Sequence, residues 1–212
     1  MERLPLSANR SNLLRLEEEL SVARDGLELL DEKKQALMAH IDSLSTKAER
    51  VRGRMNGALE EAYRHLTEAV LAHGRPACER AALAMRAGEE VSVREKSFMG
   101  VALPVVQITL PKFLPAYGFL ETGASMDAVA KAIRRSMEFI GELAEIEVGL
   151  FRLINEIRRT IKRINALENI YIPLYDATIK YMEGSLEERE REFLFQLKRQ
   201  KSKGGEVRDG FV

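Results

Sequence analysis

Apolar residues recur with a seven-residue period through most of this chain. Between residues 13 and 65 they form two columns. The first is Leu13, Leu20, Leu27, Lys34, Ile41, Ala48, Met55 and Ala62; the second is Leu16, Ala23, Leu30, Leu37, Leu44, Val51, Ala58 and His65. Only Lys34 and His65 interrupt the apolar character of these sixteen positions. Spacing that alternates three and four keeps one narrow seam facing a neighbouring helix, as a left-handed coiled coil requires. The pattern predicts one long helix within residues 1–74. Ser7, Asn9 and Ser11 are the candidate caps, and His73-Gly74-Arg75-Pro76 is the stop.

The period returns in residues 126–203. One column is Leu143, Leu150, Ile157, Ile164, Tyr171 and Thr178; the other is Phe139, Ile146, Leu153, Thr160, Leu167, Leu174 and Tyr181. Ser125 is the predicted cap, and Ile140, Ile154 and Ile161 widen the stripe. Pro173 is the one breaker, expected to kink this helix or remove a hydrogen bond. Residues 75–125 have a different character. Pro76 to Ala87 reads as a short Ala-rich helix ended by Gly88. Val91 and Val93, then Val101, Leu103, Val105 and Ile108, read as a β-hairpin turning within Ser97 to Gly100. Pro104 restricts its second strand to an edge or to the strand's start. Pro111, Pro115, Gly118 and Gly123 mark a loop.

These elements predict a mainly α fold: a long antiparallel two-helix coiled coil, with a small helix and β-hairpin inserted between its arms. The organisation is 1–74, first coiled-coil helix; 75–125, helix, hairpin and loop at one end of a rod; 126–203, second coiled-coil helix; and 204–212, a flexible tail. Helices of roughly 60 and 75 residues would be ~90 and ~110 Å long. Pairing Ala72 with Met126 puts Leu13 opposite about Ser185 and leaves the last turns without a partner. That overhang holds Leu186, Phe193, Leu194, Phe195 and Leu197. A lone helix with so many large apolar side chains implies a surface to dock against.

Composition narrows the functional classes. Of 212 residues, 33 are Lys or Arg and 33 are Asp or Glu, so the basic excess expected of a general nucleic-acid binder is absent. Aromatic residues are only 6%, with no Trp, which suits long helices. The single Cys78 excludes an internal disulfide framework and suits a reducing compartment. With no apolar run of ~18 residues and no signal-like N-terminus, the chain is expected to be soluble, reaching a membrane only through a partner.

Candidate chemistry is sparse. There is no phosphate-binding G-x-x-x-x-G-K-[ST] loop, and His40, His65 and His73 have neither each other nor Cys78 at metal-ligand spacing. No cofactor or metal is expected, and the chain is expected to be non-catalytic. Two charge clusters rise above the background. Arg158, Arg159, Lys162 and Arg163 lie off the seam columns, and Lys198, Arg199, Lys201 and Lys203 crown the apolar tip. A solvated face is the favoured explanation of the first cluster, with a partner-binding surface at Arg158, Arg159, Lys162 and Arg163 the alternative; for the tip, carrying Phe193, Phe195 and Leu197 beside Lys198 and Arg199, partner binding is the favoured reading.

Three stretches carry a family resemblance. They are Arg10-Ser11-Asn12-Leu13-Leu14-Arg15-Leu16 with Gly26-Leu27-Glu28-Leu29-Leu30; Met99-Gly100-Val101-Ala102-Leu103-Pro104; and Arg163-Ile164-Asn165-Ala166-Leu167-Glu168 with Ile172-Pro173, Glu188 to Glu192, Phe195 and Leu197-Lys198-Arg199. The last run is the most distinctive. The chain resembles the D subunits of V-type (vacuolar/archaeal-type) ATP synthases, the central rotor shafts of those machines. The resemblance implies a torque-transmitting component that couples ATP synthesis or hydrolysis to ion transport. Both chain ends would enter the hexamer of catalytic and regulatory A and B subunits. The hairpin end would meet the small F subunit and the subunit, called C or d, that sits on the membrane rotor ring. The chain would be cytoplasmic and peripheral to the membrane through that complex. A coiled-coil scaffold and a prefoldin-like chaperone are the rival classes; the first predicts homodimers and a basic concave face, the second shorter arms and binding of unfolded clients.

Overall fold

The computed structural model describes residues 3–85, 90–118 and 122–206. Its order is α1 (Arg10–His73), α2 (Arg75–Ala84), β1 (Glu90–Phe98), β2 (Val101–Thr109), α3 (Ala124–Ala166), a π-helical turn (Leu167–Tyr171) and α4 (Ile172–Glu206). The mainly α architecture expected from the heptads, with a small helix and an antiparallel hairpin between two long helical arms, is the observed one. Two compact units divide the chain: Met1–Lys34 with Arg159–Val212, and Gln35–Arg158.

Every position of the two α1 columns is buried or half-buried, including Lys34 and His65. Of the three candidate caps, Asn9 holds the helix start: its Oδ1 accepts the Asn12 N–H at 2.7 Å. Asn12 reciprocates, donating through Nδ2 to the Ser7 carbonyl at 2.9 Å. At the other end Gly74, at φ 80°, donates to the Val70 carbonyl at 2.9 Å and closes the last turn. Pro76 then occupies the first turn of α2, where its missing N–H costs nothing. The helix predicted to reach Ala87 ends at Ala84, and its predicted stop, Gly88, lies outside the described residues.

In the first unit the α1 residues run antiparallel to α4. Leu16, Leu20, Ile179 and Met182 form the buried core, and Leu13, Ile172 and Tyr175 pack against it. The lead before α1 is pinned onto α4. Leu4 N–H donates to Thr178 Oγ1 at 3.2 Å, the Ala8 carbonyl accepts from Arg189 at 2.8 Å, and Arg3 lies over the Tyr181 ring. Arg24 bridges to Asp176 at 3.1 Å.

The effect of Pro173 is a change of helix type just before it. Pro173 has no N–H to give and its ring crowds the carbonyl four residues back, so the preceding turn widens: Ile172 N–H bonds the Leu167 carbonyl, five residues back. A π turn accommodates one extra residue, and the seam moves accordingly. The predicted column positions Tyr171 and Tyr181 are 47% and 48% exposed. Their C-terminal neighbours Ile172 and Met182 line the core instead, as Tyr175 and Ile179 do beside Leu174 and Thr178. Thr178 remains buried, its hydroxyl donating to the Leu174 carbonyl.

In the second unit α1 and α3 are antiparallel and stay α-helical. Val51, Ala48, Leu143 and Ile146 make one core cluster; Leu37, Leu153 and Val101 make another. Leu37 and Leu153 are wholly buried, each contributing about 1.5–3 kcal/mol by removal from water. Lys47 and Arg54 flank Glu142 at 3.0 and 3.1 Å. The hydrogen bond from Lys47, aided by the charge of Arg54, holds the Glu142 carboxyl below its usual range against an opposing burial effect.

The hairpin joins this unit as a third layer. Its turn is tighter than predicted: both strands are regular up to Phe98 and from Val101, leaving Met99 (φ 50°) and Gly100 (φ 81°) as a two-residue I′ turn. Phe98, Val101 and Leu103 reach the Leu37–Leu153 cluster, and Phe98 stacks on His40 with centroids 4.2 Å apart. Gly141 makes room for Ile108; a Cβ there would lie 2.7 Å from Ile108 Cδ1. Pro104 sits within β2 opposite Glu95, tolerated because a two-stranded sheet has only edges.

A third cluster of this unit gathers Ala69, Cys78, Ala81, Tyr117, Met126 and Val129. The Tyr117 hydroxyl donates to Asp127. Burial, then the Asp127 bond and charge, push the Tyr117 phenol far above its ordinary range. Ser125 is not the cap of α3; it lies inside the first turn, which begins at Ala124, and its hydroxyl is 3.2 Å from His73 Nε2. Of the tail predicted at 204–212, the backbone to Glu206 continues α4, and 207–212 lie outside the described residues.

Candidate partner-binding surfaces

The apolar tip is the end of α4, in the first unit. Phe193, Leu194, Phe195 and Leu197 are 62%, 58%, 68% and 45% exposed, and Lys198, Arg199 and Lys201 are exposed with them. Leu186, predicted to share that overhang, is half-buried beside Leu13 and Leu14 and belongs to the packed part. At 100° per residue Phe193, Leu194 and Leu197 cover one side of the helix, and Phe195 points to the other. Large apolar side chains exposed on both sides of a helix otherwise rich in charge mark a surface for contact with other protein.

The basic cluster lies along α3. Arg159, Lys162 and Arg163 of the first unit are exposed and share a face at i, i+3 and i+4 spacing; Arg158, the last residue of the second unit, is also exposed. Among the described residues none of the four makes an ion pair. The widened stripe gives exposed apolar positions too: Ile140 and Ile154 in the second unit, and Ile161 in the first.

Reading by heptads missed a second set of exposed apolar residues. Leu14, Val22 and Leu29 form an outward line on α1 in the first unit, and Ile170 and Tyr171 are exposed at the π turn. A groove there is lined by Arg15, Glu19, Val22, Ala23, Tyr171 and Tyr175. Spacings of eight and seven between Leu14, Val22 and Leu29 were the available signal; they fall beside the stronger seam columns and are masked by them. At the far end of the second unit, Leu71, Leu83 and Leu114 are each at least 80% exposed.

The histidines and the cysteine serve structural tasks, His40 stacking on Phe98. His65 bonds Glu68 at 3.2 Å, His73 Nε2 accepts the Gly123 N–H at 3.2 Å, and Cys78 is buried. Among the described residues no group of three His, Cys, Asp or Glu is placed to hold a metal ion. No helix among them is long and apolar enough to cross a membrane.

Paired helices, a docked hairpin and large apolar side chains left facing outward define a helical protein built for contact with other proteins. The chain belongs to the family of ATP synthase D subunits, whose model matches residues 12–202. The D subunit of the V-type ATP synthase of Thermotoga neapolitana is 35% identical over 200 residues, covering 94% of this chain and 98% of that protein. Its counterpart in the A-type ATP synthase of Thermococcus sibiricus is 33% identical, covering 94% of each chain. The A-type counterpart of Methanopyrus kandleri is 35% identical, covering 92% of this chain and 85% of its own. The protein is thus one component of a V/A-type ATP synthase, a multi-subunit enzyme complex.

Proposed function

We propose that this chain is the non-catalytic central shaft of its complex, carrying torque between the membrane rotor ring and the nucleotide-binding hexamer. The observation that carries this reading is the set of large apolar side chains left exposed at the end of α4. Phe193, Phe195 and Leu197, with Lys198 and Arg199, are the side chains that turn within the cavity formed by the A and B subunits. An enclosing apolar wall accepts such a helix end at many angles, because dispersion and hydrophobic contact are non-directional. The seams of the two units supply stiffness.

The exposed Arg159, Lys162 and Arg163, with Arg158 beside them in sequence, form the surface for the small F subunit, and the subunit called C or d joins the chain to the ring. In this reading the chain lies on the cytoplasmic side, peripheral to the membrane through the complex. It binds no nucleotide.

Affinity isolation of the tagged chain from its own cells at low salt tests the assignment. The expected result is co-purification of two large nucleotide-binding subunits and a small partner, with ATP hydrolysis coupled to ion transport. Replacing Phe193, Phe195 and Leu197 together with Ser should leave the subunits recoverable and uncouple transport from hydrolysis. Recovery of the chain alone, or coupling indifferent to the triple change, overturns the reading. Reversing the charges at Arg158, Arg159, Lys162 and Arg163 should release the small partner selectively.

A further inference from the structure

The two edges of the hairpin are treated differently by the rest of the second unit. A two-residue turn makes Phe98 and Val101 a mutually bonded pair, so the alternate pairs Ser97–Ala102, Glu95–Pro104, Val93–Val106 and Val91–Ile108 point their backbone groups outward. On β2 that outward row is closed. The Val106 N–H donates to Glu145 Oε2 at 2.9 Å, the Ala102 carbonyl accepts from Arg152 at 2.7 Å, and Pro104 has no N–H to offer. On β1 the outward backbone groups of Val91, Val93, Glu95 and Ser97 bond to no described residue, although the Glu95 side chain accepts from Arg152 at 3.0 Å.

Every residue of β1 before Phe98 is exposed. Unpaired strand edges invite another strand, and proteins usually blunt them with Pro, bulges or cover. β1 carries charged side chains at Glu90, Arg94, Glu95 and Lys96 but has no Pro, bulge or cover, whereas the same hairpin uses Pro104 and two α3 side chains to blunt its other edge. Its side chains also carry a pattern. Val91 and Val93 project on one face, 58% and 61% exposed; Arg94 and Lys96 project on the other, exposed and without an ion pair among the described residues.

We infer that the outer edge of β1 receives an extended segment of a partner protein in the ATP synthase complex, added as a third antiparallel or parallel strand. Its residues beside Val91 and Val93 are aliphatic, and those beside Arg94 and Lys96 are acidic. Backbone bonds to Val91, Val93, Glu95 and Ser97 supply the affinity, and the alternating apolar and acidic side chains supply the register. This goes beyond the shaft reading, since a strand acceptor is compatible with any role of the chain in the complex.

Hydrogen exchange at single-residue resolution, on the full chain alone and in the isolated complex, provides the test. The amides of Val91, Val93, Glu95 and Ser97 should exchange freely in the lone chain and slow by at least about tenfold in the complex. Those of Ser92, Arg94 and Lys96, already bonded to β2, should change little. Four outward amides that stay fast in the complex overturn the proposal, as does equal slowing of both sets, which indicates a covered face without an added strand.

Val93→Pro removes one outward donor and leaves the β2 ladder intact, as Pro104 does at an outward position of β2. Circular dichroism should match the parent chain, and the outward protection should vanish in the complex. Retained protection overturns the proposal. Combined Arg94→Glu and Lys96→Glu should weaken the same protection, and indifference refutes the acidic partner. A lone chain that sediments as a dimer, and becomes monomeric on Val93→Pro, would show that a second copy occupies the edge and overturn the assignment to a different protein of the complex.

Discussion

The two compact units start from the same heptad grammar and finish it differently. In the second unit, Gln35–Arg158, the α3 seam runs from Phe139 through Leu153 without interruption, and the hairpin adds a third layer over it. In the first, Met1–Lys34 with Arg159–Val212, the seam passes through a π turn, moves over by one residue and ends in unpartnered aromatic side chains. Periodicity alone sets that helices pair. The inserted elements, Pro173 in one unit and the hairpin in the other, set how much of each pair is sealed.

The largest test of that contrast is Leu153→Ala against Leu197→Ala. Leu153 is wholly buried, so its truncation should cost about 2–5 kcal/mol in urea unfolding. Leu197→Ala should leave the stability of the isolated chain within about 0.5 kcal/mol of the parent. Comparable losses would mean that the tip is covered within the chain itself.

Tyr117→Phe should come next. It leaves Asp127 without its buried donor and should lower the stability of the second unit by about 1–3 kcal/mol near neutral pH. The raised phenol also gives a pH signature. Its folded-state value lies above the unfolded value near 10, so its contribution is complete below that pH and is lost as pH rises beyond it. The parent chain should therefore lose stability with rising alkaline pH more steeply than the Phe variant, as read by thermal melts across that range.

A smaller effect, with a change of sign, separates the packed helix from its propensity. Gly141→Ala gains about 1 kcal/mol of helix propensity and loses about 1–3 kcal/mol by crowding Ile108. The net change should be destabilising in the parent and stabilising in an Ile108→Ala background. A double-mutant cycle by chemical denaturation measures this.

The smallest expected change is the most specific to the first unit. Deleting Ile170 together with Pro173→Ala removes the extra residue and the reason for it, letting Ile172, Tyr175, Ile179 and Met182 fall on an uninterrupted heptad. The melting temperature should move little, a change within about 1.5 kcal/mol. Deleting Lys180 instead, where no π turn can absorb it, should displace Met182 and approach the cost of losing a core side chain. Equal damage from both deletions would rule out the one-residue account of the register.

Much of this was legible in the amino-acid order. The α1 columns, the stop at Gly74, the hairpin and the apolar tip all follow from local preference and period, because each depends on residues close together in the chain. The shifted seam was not legible. Tyr171 and Tyr181 look as eligible for a core as Ile172 and Met182, and periodic reading carries 3.6 residues per turn straight through Pro173. Phe193, Leu194, Phe195 and Leu197 are exposed on α4, as the register implied, whereas Leu186 was not separable from them until its neighbours on α1 were known.

By itself, then, the sequence determined that two long helical arms pair through heptad seams and that a tight hairpin lies between them. Those features are encoded in side-chain period and turn chemistry. Tertiary structure alone decided which residue of each adjacent pair turns inward after the π turn and which hairpin edge is closed. Each choice is between locally equivalent options. What separates them is the position of a distant group: α1 facing Met182, and Glu145 and Arg152 brought by α3 to the edge of β2.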